Sequence, residues 1–292
     1  MTEEEEKRLT RRRFYKAEQE ASFADANAAT TPQTQSPSYR LAFRDTDFLL
    51  REGLRPIRFQ LELMKPDILL NEAGIGSTLV VYGSARIPSP EMAAEALKTG
   101  TTPERKAVIE RLVAKAKYYE EAYKLARIAS ECAIVENGMR QFVICSGGGP
   151  SIMEAANKGA TDAGSDSIGL NIVLPHEQAP NTFVTPDLSF QFHYFALRKM
   201  HFLLRARAVA IFPGGFGTFD EFFELLTLVQ TGKMKPLPIL LFGGDYWNRV
   251  VNFDELAAEG VINPEDVNLF TRVETAEEAW AEIVKFYDLD CG

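Results

Sequence analysis

Three glycine-rich segments carry the residue types and spacings best suited to chemistry: Gly83-Ser84-Ala85-Arg86, Ser146-Gly147-Gly148-Gly149-Pro150-Ser151 and Pro213-Gly214-Gly215-Phe216-Gly217-Thr218. Glycine lets a backbone approach an anion closely, and a helix starting behind such a loop offers unpaired N–H groups and a partial positive charge. Loops of this kind converging on one crevice read as a site for a phosphorylated ligand. Ionisable residues stand beside them: Glu154 after the second loop, the pair Arg198-Lys199, and Asp220-Glu221 after the third. A carboxylate there suits proton transfer or stabilisation of positive charge, an arginine suits planar forked hydrogen bonds, and a lysine supplies a compact charge.

Each of these has a plainer alternative. Thr218-Phe219-Asp220-Glu221 and Ser151-Ile152-Met153-Glu154 both fit a helix-capping box, in which the glutamate only accepts a backbone N–H. Arg198 and Lys199 also fit a solvated basic face, and Gly83, Ser84 and Arg86 fit an ordinary strand-to-helix turn. Two familiar nucleotide motifs are excluded. The loop at Gly147 has Ile152 where a dinucleotide fingerprint needs Gly or Ala, and no G-x-x-x-x-G-K-[ST] sequence occurs.

The elements that must position these loops follow from patterning. From Ser77 onward, apolar runs alternate with amphipathic segments, as in a parallel sheet covered on both faces by helices. Strands are predicted at Thr78–Tyr82, Gln141–Cys145, Ser167–Val173, Ala208–Phe212 and Leu237–Phe242, with a further one near Asn268–Val273. Helices are predicted at about 104–137, 151–163, 194–205, 218–231, 245–259 and 275–287. On the 194–205 helix, Leu197, Met200 and Leu204 form the expected core stripe. The first helix has a narrow apolar seam, Ile109, Leu112, Ala116, Tyr119, Tyr123 and Ala126, which a second helix, of this chain or of another subunit, could cover. The fold class is therefore α/β, a Rossmann-like doubly wound parallel sheet. Ligands of such sheets bind beyond the carboxyl ends of the strands, where all three loops fall. Residues 1–38, charged and then rich in Ala, Thr, Gln, Ser and Pro, read as a mobile arm; 39–76 read as a helical extension; 77–292 form the nucleotide-binding domain.

Composition narrows the function. A chain of 292 residues, 46% hydrophobic and 25% charged, buries roughly three quarters of its unfolded surface. Its net charge of -9 argues against a nucleic-acid partner. No apolar run approaches the ~18 residues of a membrane span, so a cytoplasmic protein is expected. Cys132, Cys145 and Cys291 suggest neither a disulfide framework nor a zinc site. His176, His193 and His201 have no metal-ligand or triad spacing and read as structural.

The segment Pro213-Gly214-Gly215-Phe216-Gly217-Thr218-Phe219-Asp220-Glu221 resembles the P-G-G-x-G-T-x-x-E signature of the Lonely Guy family, phosphoribohydrolases often labelled lysine decarboxylase-like. Ser146–Glu154 resembles the family's first glycine motif and Arg198-Lys199 its Arg-Lys pair; the resemblance covers about residues 77–285. Phe195-Ala196-Leu197 before that pair, and Glu154 where short members carry Gly, point to the longer bacterial branch.

The resemblance implies hydrolysis of the N-glycosidic bond of a purine nucleoside 5′-monophosphate, AMP or an N6-modified AMP, to free base and ribose 5-phosphate. Glu221 would stabilise positive charge on the ribose and activate water, and Arg198 would assist departure of the base. Gly214, Gly215, Gly217 and Thr218 would cradle the phosphate, while Gly83, Ser84, Gly148, Met153, Glu154 and Lys199 would complete substrate binding. No metal or cofactor is expected, since no lysine has a recognisable pyridoxal phosphate context. A homodimer or larger homo-oligomer is expected from the seam and the family habit. The alternative function is a nucleotide sensor that binds without turnover.

Overall fold

The computed structural model describes residues 14–26, 29–96, 98, 102–175 and 179–291. Residues 1–13 of the expected arm, and the segment 176–178 that includes His176, lie outside them. Two compact units are present, residues 1–61 and 62–292. The first carries α1 (Ala17–Ala26) and short helices at Pro32–Gln35 and Thr46–Leu49, capped by the side chains of Thr31 and Asp45. Helix α2 spans Arg55–Glu72.

The second unit is built on seven parallel strands: β1 (Thr78–Tyr82), β2 (Val143–Ser146), β3 (Ser167–Ile172), β4 (Ser189–Phe192), β5 (Ala206–Ile211), β6 (Ile239–Phe242) and β7 (Thr271–Val273). Their order in the sheet is β4-β3-β2-β1-β5-β6-β7. The chain thus winds outward from β1 in one direction, returns, and winds outward in the other. The reversal between β1 and β5 opens a crevice at their carboxyl ends. The strands are apolar on both faces because both faces are covered. Val80 and Tyr82 of β1 join one core with Val209 and Ile211 of β5, whereas Leu79 and Val81 join the other with Ala208 and Ala210.

Strand β4 was not anticipated. Its sequence, Ser-Phe-Gln-Phe, is only four residues long and follows the turn Pro186–Leu188; alternate burial of Phe190 and Phe192 marks it as a sheet edge. The helix expected over 104–137 is two helices, α3 (Pro103–Val113) and α4 (Lys117–Cys132). Its seam is used within the chain. Tyr119 and Ala126 of the seam, with Ala122 and Ala129, are buried against α5 (Ile152–Asp162) and the C-terminal helix α9 (Ala276–Tyr287), so a helix of the same chain covers this part, while Ile109 and Leu112 on α3 are only half-buried.

Small residues let α4 and α5 approach closely. A Cβ at Gly159 would stand 2.2 Å from the Tyr123 carbonyl oxygen, which is backbone and has little freedom to move. Gly159→Ala is expected to destabilise the fold by about 1–3 kcal/mol, as other overpacked interiors do; urea unfolding monitored by circular dichroism checks this, and an unchanged midpoint would remove the close-approach argument.

One pair of cysteines that the sequence leaves far apart is brought together: Cys132 at the end of α4 and Cys291, 159 positions on, have Cα atoms 6.2 Å apart, within the span of a disulfide. Chain separation said nothing about it because α4 and α9 are neighbours only in the folded state. Cys145 is buried and free. Among the described residues no helix is long and apolar enough to cross a membrane.

Candidate active site

At the crevice between β1 and β5 lies a pocket of about 680 Å³. The loop after β1 contributes Gly83, Ser84, Ala85 and Arg86, and the loop after β5 contributes Gly214, Gly215 and Gly217. Met153 from α5, Arg198 from α6 (Phe195–Leu204), Thr218 and Glu221 from α7 (Phe216–Gln230), and Tyr246 from α8 (Gly244–Val250) close it.

Helix α7 begins at Phe216, two residues earlier than predicted, with Gly215 as its N-cap and no side chain capping it. The capping-box alternative for Glu221 therefore falls, since Glu221 sits in the second turn. The first-turn N–H groups, at Phe216, Gly217 and Thr218, have no carbonyl partner available within a helix and open on the pocket floor with the positive end of the dipole. Gly214 is required locally, because a Cβ there would meet the Thr218 hydroxyl folded back over it. The Tyr246 hydroxyl donates to the Gly214 carbonyl at 2.6 Å and holds the loop from the other side.

Arg198 and Glu221, which sequence could only nominate separately, are brought together. Their Nη1–Oε1 distance is 3.4 Å, with side chains 12% and 13% exposed. Arg198 is fixed by its Nε–H, which donates to the Leu170 carbonyl within β3 at 2.6 Å, and its guanidinium lies over the Phe202 ring. Gly147 makes room for it: a Cβ there would stand 2.7 Å from Nη2.

Burial raises the Glu221 carboxyl to about 7. Arg198 and Lys199 oppose the shift and the charges of Asp220 and Glu224 add to it; one long ion-pair contact does not offset the lost hydration. Burial, with Glu221 adding, also pushes Tyr82 well up, and burial pushes up the Cys145 thiol. Both groups stay neutral beneath the pocket.

Three of the expected binding residues do not line this pocket. Lys199 turns away to Asp220 at 3.0 Å and Glu224 at 3.1 Å, bracing α6 against α7. The expected α6 stripe is rotated: Leu197, His201 and Phe202 are buried, whereas Met200 and Leu204 are exposed. Glu154 accepts a hydrogen bond from Tyr119 at 3.2 Å. Its capping partner is absent too, because Ser151 has φ 68° and its hydroxyl donates to the Ile87 carbonyl instead. Gly148 is a loop residue with φ +71°, packed so closely on Asn171 that a Cβ would collide with its amide. Asn181 completes that loop, its amide donating to the Gly148 and Gly149 carbonyls. Neither Asn181 nor Tyr246 was nominated from sequence, since both reach the loops from segments distant in the chain.

Among the described residues the pocket lining contains two arginines and no lysine.

A parallel Rossmann-type sheet, a helix N-terminus at its switch point and a buried carboxylate–guanidinium pair above it define a doubly wound α/β protein with a polar pocket at its switch point. A family model described as "Possible lysine decarboxylase" matches residues 153–283, and the chain is distantly similar to the Lonely Guy phosphoribohydrolases. It is 27% identical over 146 residues to a probable cytokinin riboside 5′-monophosphate phosphoribohydrolase of Oryza sativa subsp. japonica, covering 49% of this chain and 62% of that protein. The match to a cytokinin riboside 5′-monophosphate phosphoribohydrolase of Arabidopsis thaliana is 28% over 140 residues, 47% of this chain and 63% of the relative. A pyrimidine/purine nucleotide 5′-monophosphate nucleosidase of Escherichia coli (strain K12) is 32% identical over 121 residues, 36% of this chain and 25% of that protein. These matches span less than two thirds of each relative.

Proposed function

We propose that this protein hydrolyses the N-glycosidic bond of purine nucleoside 5′-monophosphates, AMP or an N6-substituted AMP, to free base and ribose 5-phosphate. The observation that carries this is a carboxylate with a pKa of about 7, held beside an arginine in the wall of a pocket floored by a helix N-terminus. The 5′-phosphate is bound at the first turn of α7, where the N–H groups of Phe216, Gly217 and Thr218 converge. Such placement puts the ribose beneath Glu221. As the glycosidic bond lengthens, positive charge builds on the ribose and the carboxylate stabilises it. Glu221 then takes a proton from the water that attacks the anomeric carbon. The electron pair of the broken C–N bond leaves with the base, which takes up a proton, and Arg198 hydrogen-bonds the departing base.

The test is incubation of the purified chain with a panel of nucleoside 5′-monophosphates, including AMP and an N6-substituted AMP, with free base quantified by chromatography. Release of base without release of phosphate is the expected result. AMP binding, measured by calorimetry, without any base release would replace the hydrolase with a sensor.

A further inference from the structure

A second cavity, of about 620 Å³, adjoins the glycine pocket and shares Tyr246 and Val250 with it. It forms where the turn joining α3 to α4 meets α8. Arg111, Lys115 and Lys117 face it from the first, and Arg249 from the second; the carboxylate of Asp245 also lines it.

The charges in this cavity are poorly balanced. Lys117 is paired with Glu274 at 3.4 Å. Among the described residues, Arg111, Lys115 and Arg249 have no carboxylate within 4.0 Å. Lys115 is held in place, its ammonium donating to the Arg111 carbonyl at 2.7 Å and lying 5.8 Å from the centre of the Tyr246 ring. Burial lowers its pKa, and the charges of Arg249 and Arg111 lower it further. Like charges gathered in a concave, partly desolvated space create a positive potential that a polyanion relieves. Arginine forks match phosphate oxygens, and the volume falls within the roughly 300–1,000 Å³ of small-molecule sites.

We propose that this cavity is a second binding site, for a small molecule carrying two or more condensed phosphates, whose presence is communicated to the glycine pocket through Tyr246. The ring of Tyr246 contacts Lys115 on the cavity side, and its hydroxyl holds the Gly214 carbonyl on the other at 2.6 Å. An anion that draws Lys115 off the ring alters the support of the loop that receives the substrate phosphate. The binding claim stands without the nucleotide reading of the glycine pocket; the communication claim rests on it.

The experiment is calorimetric titration of the full chain with inorganic pyrophosphate, orthophosphate and ATP. Stronger ATP than pyrophosphate binding indicates a nucleotide-borne chain, and the reverse a free one. Pyrophosphate is expected to bind once per chain, at least about ten-fold more tightly than orthophosphate. The Arg111→Gln/Arg249→Gln double variant is expected to bind it at least about ten-fold more weakly. Both arginines are exposed, so the variant should keep its unfolding midpoint. Binding should persist when AMP saturates the glycine pocket of Glu221→Gln, and Tyr246→Phe should keep pyrophosphate binding while losing its effect on AMP affinity. Absence of pyrophosphate binding, equal binding by the double variant, or displacement by AMP overturns the second site. Equal coupling in Tyr246→Phe overturns the route through Tyr246. If AMP itself fails to bind, the nucleotide reading fails, while the titration without AMP still decides the cavity.

Discussion

Glu221→Gln should release base from its best nucleotide about 10²–10⁴-fold more slowly than the wild type, the range expected on losing a positioned general base. Glutamine keeps the shape and a hydrogen-bonding group but cannot accept the proton or offset the ribose charge. The pH profile provides an independent check. With the carboxyl at about 7, wild-type kcat/KM should rise with pH and reach half its plateau near that value. The substrate's own phosphate titrates near pH ~6, so a midpoint a unit higher identifies Glu221.

Stability should move in the opposite sense. The folded-state pKa of Glu221 is raised from 4.5 to about 7, so between those values the native protein holds a proton that the unfolded chain has released. This contribution is complete below the unfolded pKa and is lost as pH rises through the folded one. Relative to Glu221→Gln, the wild type should therefore lose up to about 3 kcal/mol between pH ~4.5 and ~8. Urea unfolding of both proteins at the two ends of that range measures the difference; parallel curves would mean that Glu221 is not a buried carboxylate.

Arg198→Met should lower base release by about 10²-fold or more, comparable to losing one donor from a preorganised site. The residue does two things at once: its Nε–H is anchored on Leu170 and its Nη1 faces Glu221. Methionine fills similar space without charge, so the pH midpoint should shift upward as Glu221 loses the cation that favours its ionised form. Arg198→Lys should recover little, because an ammonium cannot span both partners in a fixed plane. An unshifted midpoint in Arg198→Met would show that the pair is not coupled.

Much of this site could be read before folding. The third loop was placed correctly between a strand and a helix, and Gly83, Ser84, Met153, Arg198, Gly214, Gly215, Gly217, Thr218 and Glu221 do line one pocket. Strand and loop patterns are local, and a parallel sheet puts every such loop at the same edge. Less legible were contacts made across the chain. Tyr246 reaches Gly214, and Asn181 reaches Gly148 and Gly149, from segments with no motif of their own. The seam of α4 was legible as a covered face but not its cover, because periodicity reports that a face is buried without saying by what.

By itself the sequence determined the alternation of strands and helices, the three glycine loops, and the carboxylate and the arginine that stand beside them. Only the tertiary structure decided which ionisable groups serve the pocket. Arg198 and Lys199 are neighbours in the chain, but successive helical residues point about 100° apart. That rotation sends one into the crevice beside Glu221 and the other outward to Asp220 and Glu224. The same packing buries Glu221 and raises its pKa, because desolvation depends on what surrounds a carboxylate and not on the residues beside it in sequence.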